Sequence, residues 1–213
     1  MRTALVAGGS GLIGRELVQK LINSDQYSLI YLLSRKQGGP VHEKIREIVV
    51  DFEQMNLLKF DEPIDDVFCT LGTTMKQAGS RENFEKADYK YVIALANLGK
   101  EAGAKKFLVI SAMGANPKSS VFYNKVKGMT EEALKNIGFR QLVILRPSLL
   151  MGERPEPRFA ERIAGFFMTA LSFLIPDNYK AIRAEKVADN LLRMALSSTD
   201  GVSIVESGEM IRN

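Results

Sequence analysis

At 213 residues and 46% apolar side chains, the chain is long enough to bury one substantial core and short for two full domains. Its 29 basic and 25 acidic residues are mixed along the length for a formal charge of +4, which excludes the clustered basic footprint of a nucleic-acid binder. One cysteine, Cys69, excludes an internal disulfide framework and fits a reducing compartment.

The first predicted element is an apolar strand, Ala4 to Ala7, followed at once by Gly8, Gly11 and Gly14 and a helix-forming run, RELVQKLI. Each glycine answers a need of a nucleotide-binding turn: a tight reversal off the strand, close backbone approach to a pyrophosphate, and close packing of helix on strand. The amides of Ser10, Gly11, Leu12 and Ile13 would then face the phosphates at a helix N-terminus. The spacing is G-x-x-G-x-x-G rather than G-x-G-x-x-G, so the alternative of a tight structural turn stays open at this point. No charged n-region, long apolar h-region and cleavage site precede the strand, and a cytoplasmic location is expected.

Further strands are expected over 28–34, 46–50, 66–71, 106–111 and 141–146, with helices over 12–23, 82–102 and 120–137 between them. Gly103 suits the C-cap of the second of these inter-strand helices. Nearly continuous apolar strands imply burial on both faces, hence a Rossmann-like, doubly wound α/β fold with a mostly parallel sheet. After Pro147 the composition shifts. Three prolines in 147–158 read as an irregular loop, and 159–175 is strongly apolar but too short and too charged at its start for a membrane span of ~20 residues. It is read as a buried helix within a small C-terminal substrate-covering segment, 147–180, of a single domain over 1–213. A mobile cover over 147–175 is one form that segment would take. A helix over 184–197 and a strand near 202–206 finish the chain.

Chemistry collects at the strand ends. About 20 residues past Gly14, where an NAD site places an acid on the ribose 2′-hydroxyl, stand Ser34, Arg35 and Lys36. A guanidinium there would pair with a 2′-phosphate, which favours NADP(H); the alternative is a solvated basic loop. Asp51 either accepts a hydrogen bond from adenine or caps a helix. Leu71, Gly72 and Thr73 are small-residue neighbours of the expected cofactor edge, or an ordinary turn. Tyr123 and Lys127, at i and i+4, share a helix face, so an ammonium near a phenol favours its ionised form and suits it to general-acid work, with Ser111 hydrogen-bonding the substrate oxygen. A packed ring beside a snorkelling amine is the competing reading. The only histidine, His42, has no neighbours of the right type for a metal site, and none is expected.

The set GGSGLIG, CTLGTT, VISAMGA, YNKVK and ILRPSLLMGER resembles the atypical short-chain dehydrogenase/reductases, most closely the group of the oxidoreductase-like Tat-interacting protein and its small bacterial relatives. The resemblance runs through nearly the whole chain, firmest over 1–155. It implies NADP(H) at Gly8, Gly11 and Gly14, Arg35 at the adenosine phosphate, and Ser111, Tyr123 and Lys127 in catalytic positions; Ser34, Asp51, Leu71, Gly72, Thr73 and Pro147 complete the expected cofactor set. One departure is the asparagine that many such enzymes add: Asp88 and Asn97 are near, but neither is a clear equivalent. The expectation is NADP(H)-dependent oxidation or reduction at an alcohol or carbonyl of an unidentified small molecule. The alternative is an NADPH-sensing protein that binds a protein partner without turnover, and homo-oligomerisation is open. A nucleotide-sugar epimerase or dehydratase fits less well, because about 65 residues beyond Arg146 leave little room for a sugar-nucleotide domain. Met151, Phe159, Phe166 and Phe167 are candidates for an apolar pocket, although aromatic and Met side chains at helical spacing are more often core.

Overall fold

Alternate residues of the first strand, β1 (Arg2–Ala7), supply two different cores: Ala4 and Val6 enter one apolar cluster, Leu5 and Ala7 the other. A strand apolar on both faces has to lie inside a layered fold, covered on each side. The computed structural model, which describes residues 1–151 and 177–213, has that architecture. Seven strands form one sheet in the order β3-β2-β1-β4-β5-β6-β9, and every neighbouring pair runs parallel. They are β1, β2 (Tyr27–Ser34), β3 (Ile45–Val49), β4 (Asp66–Cys69), β5 (Lys106–Ile110), β6 (Gln141–Arg146) and β9 (Gly201–Glu206). A second, two-stranded parallel sheet joins β7 (Leu150–Met151) to β8 (Ile182–Arg183).

Helix α1 (Leu12–Asn23) and helix α6 (Ala184–Leu196) cover one face, burying Leu17, Leu21, Val187 and Leu191 with Val6 and Val143. Helices α4 (Tyr91–Glu101) and α5 (Phe122–Ile137) cover the other through Leu95, Leu98 and Leu134. Each such leucine stabilises the fold by about 1.5–3 kcal/mol on burial, so the two clusters are what hold the layers together. The short helices α2 (Met75–Ala78), α3 (Arg81–Glu85) and α7 (Ser207–Arg212) complete the described helices, with 3-10 turns over Phe52–Leu57 and Asp177–Tyr179.

The helix expected over 82–102 is not one α-helix. α3 passes into a π-helical stretch, Lys86–Lys90, before α4 begins. Widening the helix by one residue turns Asp88 inward and loosens the local backbone ladder, and the Thr130 hydroxyl of α5 donates to the Asp88 carbonyl at 2.8 Å. Gly103 follows the helix with φ +96°, as its C-cap placement requires. The strand expected to run to residue 71 stops at Cys69, and Ser111 lies one residue beyond β5. Residues 152–158 of the loop expected over 147–158, the apolar run 159–175 with Phe159, Phe166 and Phe167, and most of the proposed cover lie outside the described residues; Met151 is exposed.

Candidate functional site

The sheet reverses its order between β1 and β4, and in open parallel sheets ligands enter the crevice at the carboxyl ends of the strands at such a switch point. Gly8 leaves β1 there with φ +91°, and a Cβ on it would come within 2.6 Å of the Thr70 carbonyl group that leaves β4. A Cβ on Gly14 would stand 2.1 Å from the Gly8 carbonyl oxygen, so only glycine lets α1 start this close to the turn. The Gly11 amide donates to the Gly8 carbonyl at 2.9 Å, closing the turn. No side chain caps α1 and its first turn holds no acid, so the amides opening this 12-residue helix remain for an anion, with Ser10 and Gly11 exposed beside them and Leu12 and Ile13 beginning the helix. A cradle that a Cβ would fill, at an open helix N-terminus, fits the pyrophosphate of a dinucleotide.

At the end of β2 the side chains of Arg35 and Lys36 are exposed. Ser34 is half-buried, and its hydroxyl donates to a Glu47 oxygen at 2.8 Å, so an acid does stand at this end, delivered from β3 rather than β2. Asp51 has the capping role: its carboxylate accepts from the Glu53 amide at 3.0 Å and starts the 3-10 turn. Of the two expectations for Asp51, the cap is the one visible in this structure, and it engages a single carboxylate oxygen.

Beyond β4, Leu71, Gly72 and Thr73 approach a buried ion pair. The Lys127 ammonium, on a residue 5% exposed, sits 2.7 Å from Asp88, which is fully buried. The other Asp88 oxygen accepts from the Thr73 amide at 2.8 Å, and Lys127 also donates to the Ile110 carbonyl at 3.3 Å. A Cβ on Gly72 would rest 3.5 Å from Asp88 and 3.7 Å from Lys127, so this exposed glycine lies directly on the pair. Burial pulls the Lys127 ammonium down, but attraction to Asp88 and to the Tyr123 oxygen outweighs it and holds the group above the ordinary lysine range. Tyr123, one turn earlier on α5, is half-buried with its ring 5.3 Å from that of Phe84. Tyr123 and Lys127 are therefore brought together as the spacing implied.

Ser111 is placed differently. It is 6% exposed, and its hydroxyl donates to Glu131 at 2.5 Å. Glu131, itself 2% exposed, is gripped by Arg146 at 2.6 and 3.0 Å, and Arg146 also reaches Glu206 at 3.1 Å. A serine hydroxyl has one proton to donate, and in this structure it goes to Glu131; the expected donation to a substrate oxygen would require the hydroxyl to leave that partner. Pro147 is buried after β6, and its carbonyl accepts from the Met113 amide at 3.2 Å, tying the loops after β5 and β6 together.

Of the two residues weighed for the missing asparagine, Asn97 is exposed on α4 while Asp88 enters the site. The readable signal was an acid in an apolar row: Phe84, Asp88, Val92 and Leu95 follow helical spacing, and an acid on a buried stripe requires a partner. Cys69 is core, and burial pushes its thiol up to about 12. His42 accepts at Nδ1 from the Lys44 amide. Among the described residues no group of three or more His, Cys, Asp or Glu forms a metal-holding set, and no helix is long and apolar enough to cross a membrane.

Comparison with known proteins agrees with this geometry. A family model described as NAD(P)H-binding matches residues 8–167. Protein fmp52, mitochondrial, of Emericella nidulans is 34% identical over 178 residues, 80% of this chain and 76% of that protein. Protein HTATIP2 of Rattus norvegicus is 31% identical, covering 84% of this chain and 73% of its own length. Protein FMP52, mitochondrial, of Eremothecium gossypii is 31% identical over 98% of this chain and 95% of the relative. Among solved structures, MoeE5 in complex with UDP-glucuronic acid and NAD superposes with a TM-score of 0.75 at 19% identity, over 97% of this chain and 76% of MoeE5. A UDP-glucose 4-epimerase of Thermotoga maritima gives 0.72 at 18%, over 97% and 77%. At such identities the likeness is one of fold. The fungal relatives carry mitochondrial names, which overturns the cytoplasmic location expected from the N-terminal residues.

Proposed function

This chain belongs to the NAD(P)H-binding family, with Protein HTATIP2 and the Fmp52 proteins as homologues, and we propose that it is an NADP(H)-dependent oxidoreductase of the short-chain dehydrogenase type, acting on a carbonyl or alcohol of a small molecule. The observation that carries the reading is Tyr123 above a buried, charged Lys127 on α5, next to the glycine cradle at the switch point. When bound, the cofactor supplies or accepts the hydride. The chain's own part is the proton. In the reducing direction the Tyr123 hydroxyl gives its proton to the carbonyl oxygen, and solvent returns one to the phenolate. Lys127 stabilises that phenolate as a nearby cation, and Asp88 and the Ile110 carbonyl hold the ammonium in place. Gly8, Gly11 and Gly14 seat the pyrophosphate, and Arg35 with Lys36 favours the 2′-phosphate of NADP(H).

A second reading, an NADPH-sensing protein that signals to a partner, is favoured by one observation: the Ser111 hydroxyl is engaged by Glu131. Tyr123→Phe separates the two. It keeps the ring on Phe84 and removes only the proton donor, so an oxidoreductase loses about 10²–10⁴-fold in turnover with NADPH affinity intact. If wild type and variant oxidise NADPH equally slowly across a panel of aldehydes and ketones while both bind the cofactor, the enzymatic reading fails and the sensor reading stands.

A further inference from the structure

Glu47 projects from β3, in register with Leu32 of β2, and its carboxylate collects the polar groups at the end of β2. One oxygen accepts from the Ser34 hydroxyl at 2.8 Å and the Gly39 amide at 3.0 Å; the other accepts from the Gly38 amide at 3.2 Å. Hydrogen bonds from Ser34 and then from the Gly38 amide hold it below the usual carboxylate range, so it is an anion at neutral pH. A hydroxyl and two successive glycine amides converging on one acceptor make the kind of backbone concavity that binds anions. Here that concavity is filled by the chain itself. It lies at the strand end where a dinucleotide's adenosine ribose is held, in the loop that also carries Arg35 and Lys36.

We propose that Glu47 is a specificity-determining residue for the adenosine end of the cofactor: a resident carboxylate that takes the donors of Ser34, Gly38 and Gly39 and opposes a 2′-phosphate, restraining the preference that Arg35 and Lys36 create. The inference rests on the reading that a dinucleotide binds along Gly8, Gly11 and Gly14. Two opposed contributions then meet at one position. Arg35 and Lys36 attract the phosphate from the exposed side, while Glu47 repels it from β3 and withholds donors it would otherwise use. A 2′-hydroxyl carries no charge and is indifferent to the repulsion, so Glu47 acts on the ratio of the two cofactors rather than on dinucleotide binding as such.

The experiment titrates wild type, Glu47→Gln and Glu47→Ala with NADPH, NADH, 2′,5′-ADP and 5′-AMP, read by calorimetry at low and moderate salt. Glu47→Gln keeps an acceptor for Ser34 and the glycine amides while removing the charge. It is expected to strengthen NADPH and 2′,5′-ADP by on the order of tenfold, less at the higher salt, with NADH and 5′-AMP within about twofold of wild type. An unchanged NADPH-to-NADH ratio in Glu47→Gln overturns the proposal. Equal weakening of all four ligands in both variants also overturns it, because Glu47 then only shapes the loop. Wild type that binds none of the four ligands refutes the dinucleotide reading itself, an outcome distinct from binding with an unmoved ratio.

Discussion

Replacing Asp88 by alanine strips the counterion from an ammonium that has almost no access to water. The side chains of Asp88 and Lys127 are 0% and 6% exposed, and their charged atoms stand 2.7 Å apart. Breaking a pair at that depth costs about 3–5 kcal/mol, because the surviving charge stays in a low-dielectric site with the Ile110 carbonyl but no carboxylate beside it. The Thr73 amide loses its acceptor in the same variant, which adds to the loss without summing simply with it. For a chain of this length each kcal/mol moves the unfolding midpoint by about 2–4 °C, so Asp88→Ala is expected to melt roughly 6–20 °C below wild type. Lys127→Met should be similarly costly. The double variant carrying Asp88→Ala and Lys127→Met removes both charges and should recover much of the loss, less the unmet Thr73 amide. Urea unfolding of the four proteins gives the cycle, with an expected coupling of about 2 kcal/mol or more. Single variants costing under about 1 kcal/mol each, with additive effects, would refute the pairing.

Ser111→Ala removes one donor from Glu131 but leaves both Arg146 bonds, so stability should fall by about 1 kcal/mol and turnover by less than tenfold; a loss above a hundredfold would return Ser111 to the substrate. Asp66, buried at the opposite end of the sheet, tests electrostatics away from the site. Burial raises its carboxyl to about 6, against lowering by the Tyr27 hydroxyl and Arg2. The folded state then holds this proton more tightly than the unfolded one, so its contribution is complete below about pH 4 and is lost as pH rises through about 6. Carrying an aspartate from its ordinary value near 4 up to about 6 corresponds to roughly 3 kcal/mol. The stability of wild type relative to Asp66→Asn, measured from pH 4.5 to 7.5, should fall accordingly as pH rises; a flat difference rejects the assignment.

The central strands β1, β4, β5 and β6 were readable because each is apolar on both faces, and a parallel, covered sheet accommodates that pattern. The glycine turn was readable for an equally local reason: φ at Gly8 and the missing Cβ at Gly14 are consequences of residue type within a few positions of β1. What escaped depends on partners far apart in the chain. Nothing near Ser111 announces that Glu131, twenty residues on, accepts its hydrogen bond, because both belong to otherwise ordinary elements. Glu47 has the pattern of a solvated strand residue, and only the pairing of β3 with β2 brings it to Ser34. The π-helical stretch at Lys86–Lys90 lies within a segment of good helix formers, and the bulge that turns Asp88 inward arises from its tertiary partners Lys127, Thr73 and Thr130.

Tyr123, Lys127 and Glu131 fall at successive turns on one face of α5, and the burial of that row deepens along the helix. A charged group can remain at the inner two positions only when matched, and each is matched from a different direction: Lys127 by Asp88 of the π-helical stretch, Glu131 by Arg146 of β6. Those two pairs anchor α5 against the strand ends. Tyr123, at the outer turn, is half-buried and carries no charge to match. On the proposed function, chemistry on this row falls to the phenol, with Lys127 acting through it and Asp88 acting through Lys127. The same logic explains why an acid rather than an asparagine stands at position 88. An amide would fill the space and accept from Thr73, but it would leave the buried ammonium of Lys127 without a counter-charge.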